Sequence, residues 1–402
     1  MKNTLFLLLI LLLSLILIRC TEKSMEAGNP DRVFTQPVEW KEKFKLSEYV
    51  EDFEILTFHN NDSILLSSIL RLQIYDQRIY IRCWERGVIF VFDRHLNHVI
   101  NIRPSGSGPL EFSTLTDYYI DYPQHLLYVL DGILGKVVSF DLKTYQPVEE
   151  VNLAQLNPVG FAKVDDQFIF ITNDFEKGII KFYDIHSNQI LLSQITKPQS
   201  VNMINSLAPF FHYKNKLLMG LSFADTIYQY DGQRFQPFAT VGKNETSMAS
   251  LDFQELQTEL FETRIFSEKT KKTYIPVGFN FSVSEMIFVT LGLHSGGSTI
   301  IIHPDLKKSI LLKKKSIDDF SLFFNDGLII LDTDDKGFYY SYVMPNRLFL
   351  DSIEKTIQEQ KTTPLAKYLT SFIEQFPEEA WGENPFIIKF KLKPNALESL
   401  LF

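Results

Sequence analysis

A unit made of an apolar strand, a short polar turn, a second strand and a turn opened by Asp or Asn recurs six times in this 402-residue chain, and predicts an all-β, six-bladed β-propeller. Three observations carry that prediction. The turn-opening residues are Asp93, Asp141, Asp184, Asp231, Asp305 and Asn346, spaced by 48, 43, 47, 74 and 41 residues. A four-stranded blade consumes roughly 40 to 50 residues, so only the 74 is out of line. In the first four units an aromatic residue precedes the Asp (Phe92, Phe140, Tyr183, Tyr230), and the last two carry His303-Pro304 and Met344-Pro345 instead. The 35 Phe and 17 Tyr suit pleated, half-buried surfaces better than helix bundles.

The first unit pairs Arg78 to Trp84 with Val88 to Phe92. In the second, Leu126 to Leu130 turns at Asp131-Gly132, Lys136 to Phe140 returns, and Asp141 to Thr144 turns into Pro147 to Leu153. The remaining units pair Phe168 to Thr172 with Ile179 to Tyr183, Leu217 to Leu221 with Thr226 to Tyr230, Met286 to Thr290 with Ser298 to His303, and Leu328 to Leu331 with Gly337 to Val343. A carboxylate at the end of a strand accepts hydrogen bonds from backbone amides two residues on, which explains the corner residue. One blade cannot bury both of its faces, and stacking blades around an axis solves that while leaving short edges.

Helical signals are local. In the long interval, Phe253, Leu256, Leu260 and Ile265 fall near helical spacing and predict a helix inserted between blades 4 and 5, in a segment from about Gly242 to Tyr274. After the sixth unit, Thr363-Pro364 offers an N-cap followed by Pro at the first helical position. Leu365, Tyr368, Leu369, Phe372, Ile373 and Phe376 then form one stripe, which Pro377 ends. Asn384-Pro385 leads into Phe386 to Leu392, a strand expected to close the ring against Glu54 to Phe58 or Ile64 to Leu70.

At the N-terminus, Met1-Lys2-Asn3 precedes an apolar run from Leu5 to Ile18, with Cys20 close behind. That pattern is a secretory signal rather than a fold element, and the run is shorter than the roughly 20 residues of a bilayer-spanning helix. A Cys directly after the apolar run is similar to the lipobox of bacterial lipoproteins, although Arg19 stands where that motif has a small residue. The expected organisation is a lipoprotein signal peptide over 1–20 ending at a lipidated Cys20, a tether over 21–45 and a propeller over 46–402. An ordinary signal peptide cut further on and an uncleaved anchor remain as alternatives. Cys83 is the only other cysteine, so acylation of Cys20 leaves no intramolecular disulfide.

The stretch from Ile102 to Phe112, Ile-Arg-Pro-Ser-Gly-Ser-Gly-Pro-Leu-Glu-Phe, resembles a segment between the first two blades of the six-bladed β-propeller lipoproteins common in Bacteroidetes. Gly106, Gly108, Pro109, Glu111 and Phe112 match that segment, and Leu110 stands where the family usually has Gly. The resemblance implies the fold and an envelope location, the outer membrane first. It transfers no catalytic residues. Read physically, the two glycines permit unusual backbone angles, Phe112 fills space between blades, and Glu111 serves to cap backbone amides or to face the channel.

Candidate chemistry is sparse. Asp332-Thr333-Asp334-Asp335-Lys336-Gly337 begins like a calcium loop, but Lys336 takes the fifth position and Val343 the twelfth, so a solvated hairpin turn is the reading. His95 and His98 lack a third ligand, His294-Ser295 lies in a Gly-Gly turn, and Cys83 reads as a packing residue. No catalytic, cofactor-binding or metal residue is assigned, and no cofactor is expected. A net charge of −9 argues against nucleic acid, and the cluster Lys307, Lys308, Lys313, Lys314 and Lys315 is expected to coat an exposed strand edge. The first functional reading is a non-catalytic, membrane-anchored scaffold for an envelope protein or glycan, with the 242–274 segment as a partner-specific element. The alternative is a hydrolase or lyase acting on a sugar or lactone in the central channel, and a third reading is an architectural part of a membrane complex.

Overall fold

The computed structural model describes residues 34–35, 38–39, 49–58, 64–66, 69–83, 87–153, 156–172, 178–194, 209–214, 216–221, 226–241, 275–283, 286–292, 298–304, 308–313, 330–359, 361–394 and 396. Its strands form six sheets, each built on four antiparallel strands, with a short fifth strand added in parallel to two of them. Blade 1 contains Ile69–Tyr75, Arg78–Cys83, Ile89–Asp93 and His98–Ile102. Blade 2 contains Asp117–Asp121, Leu126–Asp131, Lys136–Asp141 and Pro147–Asn152. Blade 3 contains Pro158–Val164, Gln167–Thr172, Ile180–Asp184 and Gln189–Gln194. Blade 4 contains Phe210–Tyr213, Lys216–Gly220, Thr226–Tyr230 and Phe235–Val241, and blade 5 contains Ile275–Val283, Met286–Gly292, Ser298–His303 and Lys308–Lys313. Blade 6 begins with Asp332–Thr333, Phe338–Val343 and Phe386–Leu392, and its outermost strand is Val50–Leu56 from the other end of the chain.

That last pairing closes the ring. Ile388 lies opposite Ile55 and Lys389 opposite Glu54, so of the two expected partners the chain uses the first. The second, Ile64 to Leu70, instead leads into the innermost strand of blade 1.

The core is a set of layers between blades, because alternate residues of each strand point to opposite faces. In Leu126–Asp131, Leu127 and Val129 pack toward blade 1 with Ile89, Val91 and Tyr118, whereas Tyr128 and Leu130 pack toward blade 3 with Phe168 and Phe170. With both faces buried, the strands read as near-continuous apolar runs rather than as alternating ones.

The corner carboxylates act as their spacing predicts. Asp93 accepts from the His95 amide, Asp141 from Lys143 and Thr144, Asp184 from Ser187, and Asp231 from Gln233 and Arg234. Asp305 and the 242–274 segment, with its expected helix, lie outside the described residues. In blades 1 to 4 the pairing of the outermost strand shifts register once, as at Val91/Phe92 and Phe182/Tyr183, and such bulges blunt an exposed edge.

Three features depart from the sequence reading. Asn346 does not open a turn into another strand: its side chain accepts from the Phe349 amide at 3.0 Å and caps a helix, α1 (Arg347–Glu359). Phe349, Leu350 and Ile353 give that segment a helical apolar face, and all three are buried. The Lys308–Lys313 edge is not bare, because Val38–Glu39 runs parallel along it with Val38 opposite Ile310. Phe34–Thr35 likewise lies along Phe235–Val241 of blade 4, so part of the 21–45 stretch is paired. The third departure is Asp332, which sits in the innermost strand of blade 6 while Asp334 makes the hairpin turn, accepting from the Lys336 and Phe338 amides.

The second helix, α2 (Pro364–Gln375), starts where the sequence places it: the Thr363 side chain accepts from the Ala366 amide, and Pro364 fills the first turn. Both helices lie in the connection between the second and third strands of blade 6, and they pack Phe349, Ile353, Leu369 and Phe372 against Phe386 and Phe390. The Tyr368 hydroxyl accepts from the Ile55 amide at 2.8 Å, tying α2 to the closing strand. Among the described residues, no helix is long and apolar enough to cross a membrane.

Candidate functional site: the axial ring of blades 6, 1, 2 and 3

The innermost strand of each blade leaves one row of backbone N–H and C=O groups facing the axis, and those groups need partners. Side chains of the neighbouring blade supply them here. Asp332 of blade 6 accepts from the Ile74 amide of blade 1 at 2.6 Å. Arg71 of blade 1 donates through Nη1 to Asp117 Oδ1 of blade 2 at 2.8 Å and to the Tyr118 carbonyl. Asp117 in turn accepts through Oδ2 from the Phe161 amide of blade 3 at 3.2 Å. Gly160 permits this approach: a Cβ there would lie 2.9 Å from Pro209 and 3.5 Å from Asp117 Oδ2. Lower down, Lys163 of blade 3 donates to Asp121 of blade 2 at 3.1 Å and to the Asp165 carbonyl.

Charge is concentrated at the blade 1–2 junction. The Arg71 and Asp117 side chains are 9% and 3% exposed, and the Arg71 guanidinium also lies 4.6 Å over the Tyr118 ring. Arg82 lies opposite Arg71 across the two inner strands of blade 1. Its Nη1 is 3.9 Å from Asp117 Oδ1, its Nη2 donates to the Leu115 carbonyl at 3.4 Å, and its buried Nε has no partner. Gln73 Oε1, two pairs along the same ladder, is also buried without a partner. Burial lowers the Arg82 pKa, with Asp117 opposing. Burial pushes the Asp332 carboxyl up to about 7, against the Ile74 and Thr333 amides and Arg71, which all favour its charged form. A carboxyl that changes charge near neutrality can take up or release a proton, but most of this ring's polar atoms already join one blade to the next.

The stretch from Ser105 to Phe112 folds on itself over the blade 1–2 junction. The Gly108 amide donates to Glu111 Oε2 at 2.9 Å, and the Ser105 amide donates to the Phe112 carbonyl at 3.0 Å. A Cβ on Gly106 would lie 2.3 Å from the same carboxylate, and Gly106 has a positive φ. Phe112 is buried edge-on to Phe140, and Pro109 sits between Gly108 and Leu110. Leu110 adopts φ +59, the left-handed conformation that Gly takes freely, and its amide donates to Glu150, which also pairs with Lys136 at 3.0 Å.

His95 and His98 stand apart in role. Arg94 donates to His95 on the third-to-fourth-strand turn of blade 1, and His98 bonds Asn101 within the fourth strand. An open cleft of about 390 Å³ there is lined by Asp76, Gln77, Arg78, Asp93, Arg94 and His95. Cys83 is buried beside Ile81 and Phe90, whereas Cys20 and His294 to Gly297 lie outside the described residues. Among the described residues, no cluster of His, Cys, Asp and Glu has the arrangement of a metal site. Sequence reasoning did not find Arg71, Arg82 or Asp117, and it placed Asp332 in a solvated turn rather than in an innermost strand. The available signal was a charged residue inside an otherwise apolar innermost strand, as in Ile69-Leu70-Arg71-Leu72.

The chain belongs to the DUF5128 family of 6-bladed beta-propellers, whose model matches residues 27–290. Two solved structures are similar in fold. One is a protein of Bacteroides fragilis described as exported, 12% identical, with a TM-score of 0.65 over 87% of this chain and 97% of that one. The other is a member of the DUF4221 family from Bacteroides vulgatus, 9% identical, with a TM-score of 0.50 over 86% of this chain and 97% of that one. No curated protein matches the sequence.

Proposed function

We propose that this six-bladed propeller is an exported, lipid-anchored scaffold of the cell envelope that docks a protein partner on one face of the ring. Strands alternate direction within each blade, so connections between blades and loops between second and third strands emerge on the same face. The observation that carries the reading is a set of exposed aliphatic side chains in those connections. Ile133 and Leu348 are 75% and 66% exposed, and Leu65, Leu110, Leu134 and Met344, also in connections on this face, are exposed as well. Exposed apolar groups gathered on one surface mark interaction sites, and aliphatic side chains favour a protein partner over a glycan, which needs hydrogen-bonding groups and aromatic platforms. Anchoring rests on the Leu5 to Ile18 run and Cys20, and export is supported by the description of the Bacteroides fragilis neighbour.

The test is crosslinking in native membranes followed by purification of the full-length protein. The expected result is a partner recovered with the wild type, lost when Ile133 and Leu348 are replaced by Asp, and lost from the membrane fraction with Cys20→Ala. Recovery unchanged in the Ile133→Asp, Leu348→Asp protein would sink the docking face. Unchanged detergent partitioning of Cys20→Ala would sink the anchor. The second reading, catalysis in the channel, draws on Asp332, whose carboxyl changes charge near pH 7. It requires Asp332→Asn to abolish a turnover detectable on envelope glycans or lactones.

A further inference from the structure

The turns between first and second strands, and those between third and fourth strands, emerge on the face opposite the exposed aliphatic residues. At blades 1 and 2 that face gathers aromatic rings. Tyr75 ends the first strand of blade 1, and Tyr122 and His125 lie in the turn that follows the first strand of blade 2. The Tyr75 and Tyr122 ring centroids are 5.0 Å apart with their planes at 48°, and the His125 ring lies 5.9 Å from that of Tyr75. The Tyr75 hydroxyl is hydrogen-bonded to His125 Nδ1 and to the Tyr122 carbonyl, which fixes the rings relative to one another. Tyr122 stays 41% exposed. Asp76, the residue after Tyr75, begins the lining of the open cleft of about 390 Å³ that Gln77, Arg78, Asp93, Arg94 and His95 complete. We infer that the rings and the cleft form a binding site for a neutral oligosaccharide built of pyranose rings.

Chemistry, charge and access select that class. A pyranose has a face of C–H groups, which packs on an aromatic ring, and an edge of hydroxyls, each of which both donates and accepts. The side chains of Asp76, Gln77 and Arg78 make no hydrogen bond among the described residues, and they offer an acceptor, an amide with both functions and a fork of donors. Asp93, by contrast, is committed to its own turn through the His95 and Asn97 amides. Counting His as neutral, the ionised groups around the site cancel. Arg78 and Arg94 stand with Asp76 and Asp93 in the cleft, Lys163 pairs with Asp121 next to Tyr122, and Arg71 and Arg82 are offset by Asp117 and Asp332 in the ring. No surplus charge is left to favour an acidic sugar. The cleft falls within the roughly 300–1,000 Å³ of small-ligand sites. Asp76, Gln77, Arg94, His95, Tyr122 and His125 are all exposed, so a chain of sugar rings can reach it.

The experiment applies the full-length protein, in a detergent without a sugar headgroup, to a printed array of neutral and acidic glycans, and then measures the affinity of the retained glycan by calorimetry. Neutral pyranose glycans are expected to be retained. Tyr122→Leu keeps an apolar side chain but loses the ring face, and should weaken the retained glycan about 3- to 10-fold. Asp76→Gly removes the carboxylate yet suits the left-handed turn, in which Asp76 has φ +45. It should weaken binding at least 10-fold, with an unliganded Tm close to wild type. Retention of no glycan, or an affinity unchanged in both Tyr122→Leu and Asp76→Gly, would overturn the site. Retention of acidic glycans alone would overturn the neutral assignment.

Discussion

Asp332→Asn isolates the electrostatics of the channel. The Asp332 carboxyl is pushed from its ordinary 3.8 up to about 7 by burial at the wall of the channel. Below about pH 3.8 it is protonated in both folded and unfolded chains and makes no difference to stability. Between 3.8 and about 7 only the folded form holds the proton, so stability falls as the pH rises; above about 7 the loss is complete. The gap between the two values corresponds to about 4 kcal/mol, and solvent in the channel reduces it to about 2–4 kcal/mol, since the residue is only half-buried. An Asn side chain cannot ionise, yet its oxygen can still accept from the Ile74 amide. The variant should therefore match the wild type at pH 4 and exceed it by about 2–4 kcal/mol at pH 8, in urea unfolding followed by circular dichroism. Because every other titrating group is common to both proteins, the difference between their pH profiles reports this carboxyl alone. A difference that stays flat from pH 4 to 8 would show that Asp332 ionises as in water, and the argument from burial would fail.

Four further outcomes follow from the same geometry. Asp117→Ala leaves Arg71 and the Phe161 amide without their partner and should cost about 3–5 kcal/mol, read from the urea midpoint; a loss below about 1 would mean solvent already screens the pair. Tyr368→Phe removes the acceptor of the Ile55 amide and should cost about 1 kcal/mol, with hydrogen exchange rising first in Val50–Leu56. Thr363→Ala removes the N-cap of α2 and should cost about 1 kcal/mol, with Thr363→Ser restoring it. Leu110→Gly relieves a left-handed residue at about 1–2 kcal/mol and adds about 0.5–1 kcal/mol of chain entropy, so Tm should hold or rise slightly; a fall of several degrees would show that the Leu110 side chain contributes contacts at the blade 1–2 junction.

What the sequence could and could not reveal follows from the range of each interaction. The corner at Asp141 is decided within three residues, by amides of Lys143 and Thr144, and the α2 cap by Thr363 and Ala366; such contacts are written in adjacent letters. Asn346 was misread because an Asx turn and an N-cap use the same side chain in the same way, and only the helical spacing of Phe349, Leu350 and Ile353 separates them. The axial ring is of another kind. Arg71 and Asp117 are 46 residues apart, Asp117 and Phe161 are 44 apart, and Ile74 and Asp332 are 258 apart. Each joins a side chain to a backbone group or ion whose position depends on how blades stack, and no periodicity encodes that.

The same distinction bears on function. A propeller that used its axis for catalysis would be expected to leave polar side chains there uncommitted, aimed at a reacting group. In this chain Asp332, Arg71 and Asp117 are each committed to the edge of the next blade, so replacing any one of them alters the ring before it alters a ligand. Arg82 and Gln73 depart from that pattern, with buried polar atoms that join nothing. Exposed aliphatic residues stand in the connections of one face, where substitution touches no blade-to-blade bond. Mutations at Ile133 and Leu348 should therefore separate docking from folding cleanly. A chain in which both substitutions lowered Tm sharply would lack that separation, and its exposed aliphatic residues would be parts of the fold alone.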